Sequence, residues 1–98
     1  MPETVTLATF GAQLNEEFTL TPPDGPAVAV RLVEATPLGP APADGLRAPF
    51  SIVFRGPADR ALGQGMYRLG HAAIGSFELF LVPIAPDADG RRYEAVFA

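Results

Sequence analysis

The stretch "SFELFLVPIAPDADGRRYEAVFA", residues 76–98, decides the fold, because it predicts two strands joined by a tight turn. Residues 76–84 form a short run that is mostly apolar, which predicts a β-strand. The segment "PDADGRR" supplies the Asp and Gly residues that a hairpin turn requires, and "YEAVFA" after it predicts a second strand. The stretch therefore predicts an antiparallel hairpin.

The first strand of this hairpin is apolar on both of its faces. One face carries Phe and Leu residues at odd positions, and the other carries Phe80, Val82 and Ile84. Such a strand either lies in the centre of a fold that covers both faces, or presents one face to another subunit. Our hypothesis is that Phe80, Val82 and Ile84 form the apolar part of a protein interface. Pro83 within the strand predicts an edge, a bulge or the end of the strand.

Four earlier segments alternate between inward apolar and outward residues, and Pro or Gly residues close each of them. They are residues 16–21, 27–35, 50–55 and 65–71. Residues 37–49 are rich in Pro and Gly, so we predict a surface loop there. Six short strands with no long helix between them predict an all-β fold, which is a small antiparallel barrel or sandwich.

One short helix is predicted before the first strand. Leu7, Phe10 and Leu14 lie at positions i, i+3 and i+7, which form one stripe of a helix. Thr6 can cap its first turn, and Asn15 can end it because Asn tolerates the left-handed conformation that follows many helices. The chain of 98 residues is short enough to predict a single domain, residues 1–98.

Composition argues against several classes of function. The formal net charge is -4 and no basic stripe is visible, so we expect no nucleic-acid partner. The chain has no cysteine, which removes disulfides, thiolate nucleophiles and cysteine zinc sites. The longest apolar run, "LFLVPIAP", is much shorter than a membrane span, and the first residues do not resemble a signal peptide. We expect a cytoplasmic protein without a membrane partner.

The candidate catalytic residues are few, because the chain has one histidine, His71. His71 with Glu78 or Asp59 would need a nucleophile or a metal, and neither Ser51 nor Ser76 lies in a nucleophile motif. The segment "PDADG" begins like a calcium loop but lacks the third acidic position and the distal Glu. We therefore expect no enzyme, no metal and no cofactor. We expect the His71 ring to bond a neighbouring backbone group at a strand end.

A second set of polar candidates consists of Arg55, Gln64, Arg68 and His71. If the two strands that carry them are neighbours, these side chains form an anion pocket at the mouth of a barrel. The arginines can instead pair with glutamates across strands, on the solvated face. The first arrangement predicts an alternative function, which is a small-ligand or anion-binding β-barrel.

Four segments of the chain resemble a family of small bacterial proteins of unknown function. That family has FSLxFRGP, QGxY, LGxxxLFLVPI and YEAVF segments, and the chain has "FSIVFRGP", "LGQGMYRLGH", "IGSFELFLVPI" and "DGRRYEAVFA". Ile74 replaces the Leu expected before Gly75, which is a conservative difference. The matching positions are Phe50, Ser51, 54–57, Gln64, Gly65, Tyr67, Gly75, 80–84 and 93–97.

The resemblance implies no enzymatic activity, and no catalytic or binding residue comes with it. Members are similar to accessory proteins encoded beside tail-collar-type fibre proteins, which implies a structural or assembly role in a phage-tail-like system. Only 18% of the residues are charged, which leaves room for an apolar contact surface. Together these features predict a non-enzymatic structural or assembly module that contacts a protein partner or associates with itself.

Overall fold

A computed structural model of the protein describes residues 5–40 and 48–97. Its elements are α1 (Leu7–Gly11), β1 (Glu17–Thr21), β2 (Val28–Pro37), β3 (Phe50–Gly56), β4 (Gly65–His71), β5 (Gly75–Asp87) and β6 (Gly90–Phe97). The six strands pair antiparallel and close into a barrel in the order β1-β2-β3-β6-β5-β4. The predicted all-β fold is therefore confirmed in its barrel form. Residues 41–47 of the predicted loop lie outside the described residues.

The inward-facing residues of the strands form one apolar core. They come at every second position, as the sequence predicts, although in β3 the outward Ser51 and Val53 are buried as well. Burial of this apolar surface is the main force that closes the barrel. The largest fully buried side chains are Tyr93, Phe10, Phe18, Phe50, Phe54, Phe97, Leu20, Leu32, Ile52, Leu69, Leu79 and Leu81.

Helix α1 closes one end of the barrel with the ring of Phe10. The centroid of this ring lies 6.3 Å from that of Phe18, 6.0 Å from that of Phe50 and 5.4 Å from that of Phe97. The rings of Phe50 and Phe97 are stacked on each other at 4.6 Å. Aromatic pairs at such distances add stability beyond the area that they bury. A helix of five residues is thus held by its one buried ring rather than by helix propensity.

The helix begins where the sequence predicts and ends earlier. The Thr6 hydroxyl accepts a hydrogen bond from the backbone N–H of Thr9, and the Thr9 hydroxyl accepts one from the N–H of Thr6. The last helical residue is Gly11, so the predicted stripe does not continue to Leu14, which is 43% exposed. Asn15 has a φ of 70°, which confirms the predicted left-handed position.

The connection between β3 and β4 covers the opposite end of the barrel. Leu62 in this connection is buried, and its backbone N–H donates to the Tyr93 hydroxyl at 3.1 Å. The Tyr67 hydroxyl donates to the carbonyl oxygen of Gly63 at 2.5 Å. Burial raises the pKa of Tyr67 above its ordinary value. The glycine-rich connection is therefore fixed to the barrel by the hydroxyl groups of two core tyrosines.

Strand β5 changes its partner along its length. It pairs with β4 from Gly75 to Leu81 and with β6 from Val82 to Asp87. Pro83 pairs with Tyr93 of β6, beyond the end of the ladder to β4, so it lies where β5 is an edge on one side. This confirms the edge that Pro83 predicts, since an edge position does not need the N–H that proline lacks.

Candidate functional site

The outer face of β5 carries the residues predicted to form an interface. Phe80, Val82 and Ile84 all lie outside the core, with Phe80 49% exposed and the other two half-buried. The alternate residues Leu79 and Leu81 are fully buried. The part of the chain that the structure describes therefore leaves about half of the Phe80 ring uncovered. The second apolar face of β5 is not part of the core.

The ring of Phe80 belongs to a wider exposed patch. Met66 of β4 lies directly opposite Phe80 and is 46% exposed, and Val96 of β6 is 59% exposed. The β5–β6 ladder pairs Val82 with Glu94, and Phe80 and Val96 each lie two residues beyond that pair on the same side of the barrel. We call Met66, Phe80 and Val96 the apolar patch. It joins three neighbouring strands on one outer surface.

Two of the three patch residues are not predicted from the sequence. The alternation of β4 and β6 gives Met66 and Val96 outward positions, and the predicted hairpin places β6 beside β5, but the alternation does not say that β4 lies on the other side of β5. A sequence pattern that indicates Met66 and Val96 is an apolar residue at an outward position of a strand whose inward positions are also apolar. Only the register then shows that Met66 lies opposite Phe80.

Three charged residues flank the apolar patch, and they are Arg68, Glu78 and Glu94. Arg68 of β4 lies opposite Glu78, and its guanidinium donates to the Ser76 hydroxyl at 3.1 Å. Glu94 of β6 is half-buried between Val53 of β3 and Val82 of β5. Neither Arg68 nor Glu94 forms an ion pair with another residue of the described ranges.

A row of arginines lies farther along the same outer surface. The registers place Arg31 of β2, Arg55 of β3 and Arg92 of β6 side by side. The Nε of Arg55 donates to both carboxylate oxygens of Asp87, at 3.0 and 3.1 Å, and its Nη2 donates to the same carboxylate. Arg92 lies 3.4 Å from a carboxylate oxygen of Glu34. Acidic side chains therefore neutralise much of this row.

Asp87 also organises the turn between β5 and β6. Its carboxylate accepts hydrogen bonds from the backbone N–H groups of Asp89 and Gly90, at 3.0 and 3.1 Å. The hydrogen bonds from Arg55 hold the pKa of Asp87 below its ordinary value and raise the pKa of Arg55. The Asp and Gly residues that resemble a calcium loop are thus used by the turn itself. An open groove of about 400 Å³ lies beside it, lined by Glu17, Ala29, Val30, Arg31, Arg55, Gly56, Pro57 and Asp89.

The structure does not bring together the four predicted polar residues Arg55, Gln64, Arg68 and His71. Strands β3 and β4 are not neighbours, because β6 and β5 lie between them on one side and β2 and β1 on the other. Arg55 points to the β5–β6 turn, Gln64 is exposed before β4, and Arg68 lies on the outer face of β4. His71 lies on the inner face at the end of β4, against Phe18. These side chains form no common pocket.

His71 is packed and hydrogen-bonded within the fold. Its side chain is 8% exposed, and its ring centroid lies 4.4 Å from that of Phe18. The Nδ1 atom accepts a hydrogen bond from the backbone N–H of Ala73 at 3.0 Å, and Nε2 lies 3.8 Å from a carboxylate oxygen of Glu16. The bond to Ala73 is the backbone contact that the sequence predicts. This geometry fits a residue that fastens a strand end.

The described ranges hold neither a metal cluster nor a membrane-spanning helix. No group of three or more His, Asp or Glu residues within residues 5–40 and 48–97 is arranged to hold a metal ion. In the same part of the chain, no helix has the length and apolar character needed to cross a membrane.

Comparison with known protein families identifies one family that the chain matches. Residues 5–97 match the model of a domain of unknown function, DUF6916. The chain belongs to this family. The match covers the whole DUF6916 barrel, from the residue before the Thr6 cap to the last residue of β6. No curated protein and no solved structure matches this DUF6916 chain.

Proposed function

We propose that this DUF6916 protein is a non-enzymatic structural or assembly module that acts through protein–protein contact at the apolar patch. The observation that carries the proposal is the exposure of Phe80, which is 49% exposed beside a Met66 that is 46% exposed. Large aromatic side chains give most binding energy when a partner buries them at the centre of an interface. Val82 and Ile84 continue this surface along β5.

The position of the patch supports the proposal. Closure of a barrel removes most open strand edges, so association through added strands has little room, and side chains on the outer face must supply the contact. The patch spans three strands, whereas single exposed apolar residues are ordinary on protein surfaces. An accessory role in a phage-tail-like assembly is one setting for such a contact and stays a prediction.

The proposal is tested by replacing Phe80 with aspartate. A contact at the patch predicts that F80D lowers association with the partner, or with itself, at least about tenfold, because a buried carboxylate is costly. The measurement is association by sedimentation velocity, combined with photo-cross-linking from a reactive amino acid at position 80 in the host cell. Unfolding of F80D would contradict the proposal, since it would show that the ring is core.

A matched control is A29D, because Ala29 is exposed on the outer face of β2, three strands from β5 in the barrel order. It introduces the same charge on the same kind of surface. We expect A29D to associate as the unchanged protein does, and we expect a reactive group at position 29 to give no cross-link. Equal losses in F80D and A29D would mean that added negative charge, and not the patch, governs association.

The alternative function, a small-ligand or anion-binding barrel, has less support. The four residues that would carry it lie apart, and the arginine row on β2, β3 and β6 is largely paired with acidic side chains. An anion at Arg55 or Arg92 would therefore have to displace Asp87 or Glu34 from the guanidinium group. This alternative stays a prediction.

A further inference from the structure

Phe80 lies midway between two charges that have no ion-pair partner in the described residues. Arg68 is one strand away from Phe80 and two residues along, because Arg68 is paired with Glu78. Glu94 is one strand away on the other side and two residues along in the opposite direction, because Glu94 is paired with Val82. With strands about 4.8 Å apart and a rise of about 3.3 Å per residue, the Cα atom of each charged residue lies about 8 Å from that of Phe80.

This arrangement is self-complementary. Two copies that pack face to face are related by a two-fold axis in the plane between them, so a residue i that contacts j is matched by j contacting i. An axis through Phe80, perpendicular to the line from Arg68 to Glu94, exchanges the two ends of that line. Each Arg68 then lies opposite Glu94 of the other copy, and the two Phe80 rings meet at the axis.

We propose that a second copy of this chain is the partner of the apolar patch, held by two reciprocal ion pairs between Arg68 and Glu94. The inference rests on the proposed function and names its partner. Met66 and Val96 lie on either side of Phe80 and are covered by the same contact. Charge complementarity fixes both the partner and its orientation.

Glu78 lies opposite Arg68 in the register, but the described ranges hold no ion pair between these two side chains. Arg55 and Arg92 already have Asp87 and Glu34 as partners within the chain. Among the described residues, the Arg68 side chain donates only to a neutral hydroxyl, and Glu94 is half-buried between two valines. A carboxylate in that position gains more from a cation supplied by a second copy than a fully solvated one would.

The contact is expected to be weak. Three strands form a small surface, and interfaces well below about 1,200 Å² belong to transient complexes. The net charge of -4 on each copy also opposes association at long range. We expect a monomer–dimer equilibrium with a dissociation constant on the order of micromolar.

Charge reversal tests the inference in three arms. R68E and E94R are each expected to weaken self-association at least about tenfold, because each places like charges opposite one another in two places. The double variant R68E/E94R is expected to recover self-association to within about threefold, because both ion pairs re-form with their signs exchanged. A mixture of the R68E and E94R chains is expected to form a heterodimer, because both of its ion pairs join opposite charges. Neither chain alone is expected to form a homodimer at the same concentration. The measurement is sedimentation velocity over a concentration series, with thermal unfolding of every variant.

The possible outcomes separate this inference from the proposed function. If R68E or E94R does not fold, the neutral pair R68Q and E94Q replaces them, and each is expected to weaken self-association by a smaller factor. A dimer unaffected by either reversal, or no heterodimer in the mixture, overturns the inference. A chain that stays monomeric at millimolar concentration also overturns it, whereas cross-links from position 80 to a different protein would leave the proposed function standing. Cross-links to no protein would overturn both.

Discussion

The two faces of β5 are both apolar, but only the inner face is buried in the core. Phe77 is 7% exposed on the inner face, and Phe80, three residues later, is 49% exposed on the outer face. Inside the barrel, the ring of Phe77 packs against Phe10 of α1, with 6.4 Å between the centroids. Outside it, Phe80 lies opposite Met66, and about half of the Phe80 side chain is exposed to solvent. Hydrophobicity alone does not separate core from interface, because the difference lies in what neighbouring elements cover.

The largest expected effect contrasts these two phenylalanines directly. F77A removes a buried ring and is expected to cost about 3–5 kcal/mol of unfolding free energy, because it leaves a cavity. F80A removes a half-exposed ring from the outer face of the same strand and is expected to cost less than about 1 kcal/mol. The measurement is urea unfolding of both variants at a concentration where the chain is monomeric. Equal costs would show that the outer face belongs to the core.

A second, smaller effect contrasts two tyrosines at the closed end of the barrel. Y93F leaves the buried N–H of Leu62 without its acceptor and is expected to cost about 1–3 kcal/mol. Y67F leaves the carbonyl of Gly63 near solvent and is expected to cost about 0.5–1.5 kcal/mol. Urea unfolding measures both costs. A larger loss of unfolding free energy in Y67F than in Y93F would contradict the expectation that the buried N–H of Leu62 costs more to leave unpaired than the carbonyl of Gly63.

The Leu62 amide also has an independent readout. Hydrogen exchange at this amide is expected to quicken in Y93F and to stay slow in Y67F, because the Tyr93 hydroxyl is its acceptor. Unchanged exchange in Y93F would mean that the connection between β3 and β4 is held without this bond.

The sequence predicts the inner face well and the outer face poorly, for a physical reason. Inward positions follow from the two-residue period, since each residue such as Phe54 or Leu81 is apolar wherever its strand is placed. Contacts on the outer face depend on strand order. The predicted meeting of Arg55 and Arg68 fails because β3 is beside β2 and β6, while β4 is beside β1 and β5. Antiparallel alternation carries no information about that order.

In the candidate site too, local features are predicted from the sequence, whereas features that depend on strand order and register are not. The two-faced pattern of β5 leaves both a covered and an open outer face possible, and the exposure of Phe80 is seen only in the folded barrel. The neighbour Met66 follows from a register, and the ion pair of Arg55 with Asp87 follows from the length of β5 beyond the predicted strand. By contrast, the Thr6 cap and the left-handed Asn15 are local features, so the sequence predicts them directly.

The smallest expected effect concerns the ion pair of the outer surface, and it depends on pH. The pKa of Asp87 is lowered in the fold from its ordinary 3.8, first by the hydrogen bonds from Arg55. A lowered pKa means that the contribution of Asp87 to stability is present above about pH 4 and is lost as the pH falls through the folded value. D87N lacks this titration, so the difference in melting temperature between it and the unchanged protein is expected to be constant from about pH 7 to 5 and to shrink below about pH 4. D59N is the control, because Asp59 is an exposed carboxylate for which the described part of the chain shows no ion pair. A difference for D87N that grows as the pH falls would reverse the sign and contradict the role of Arg55.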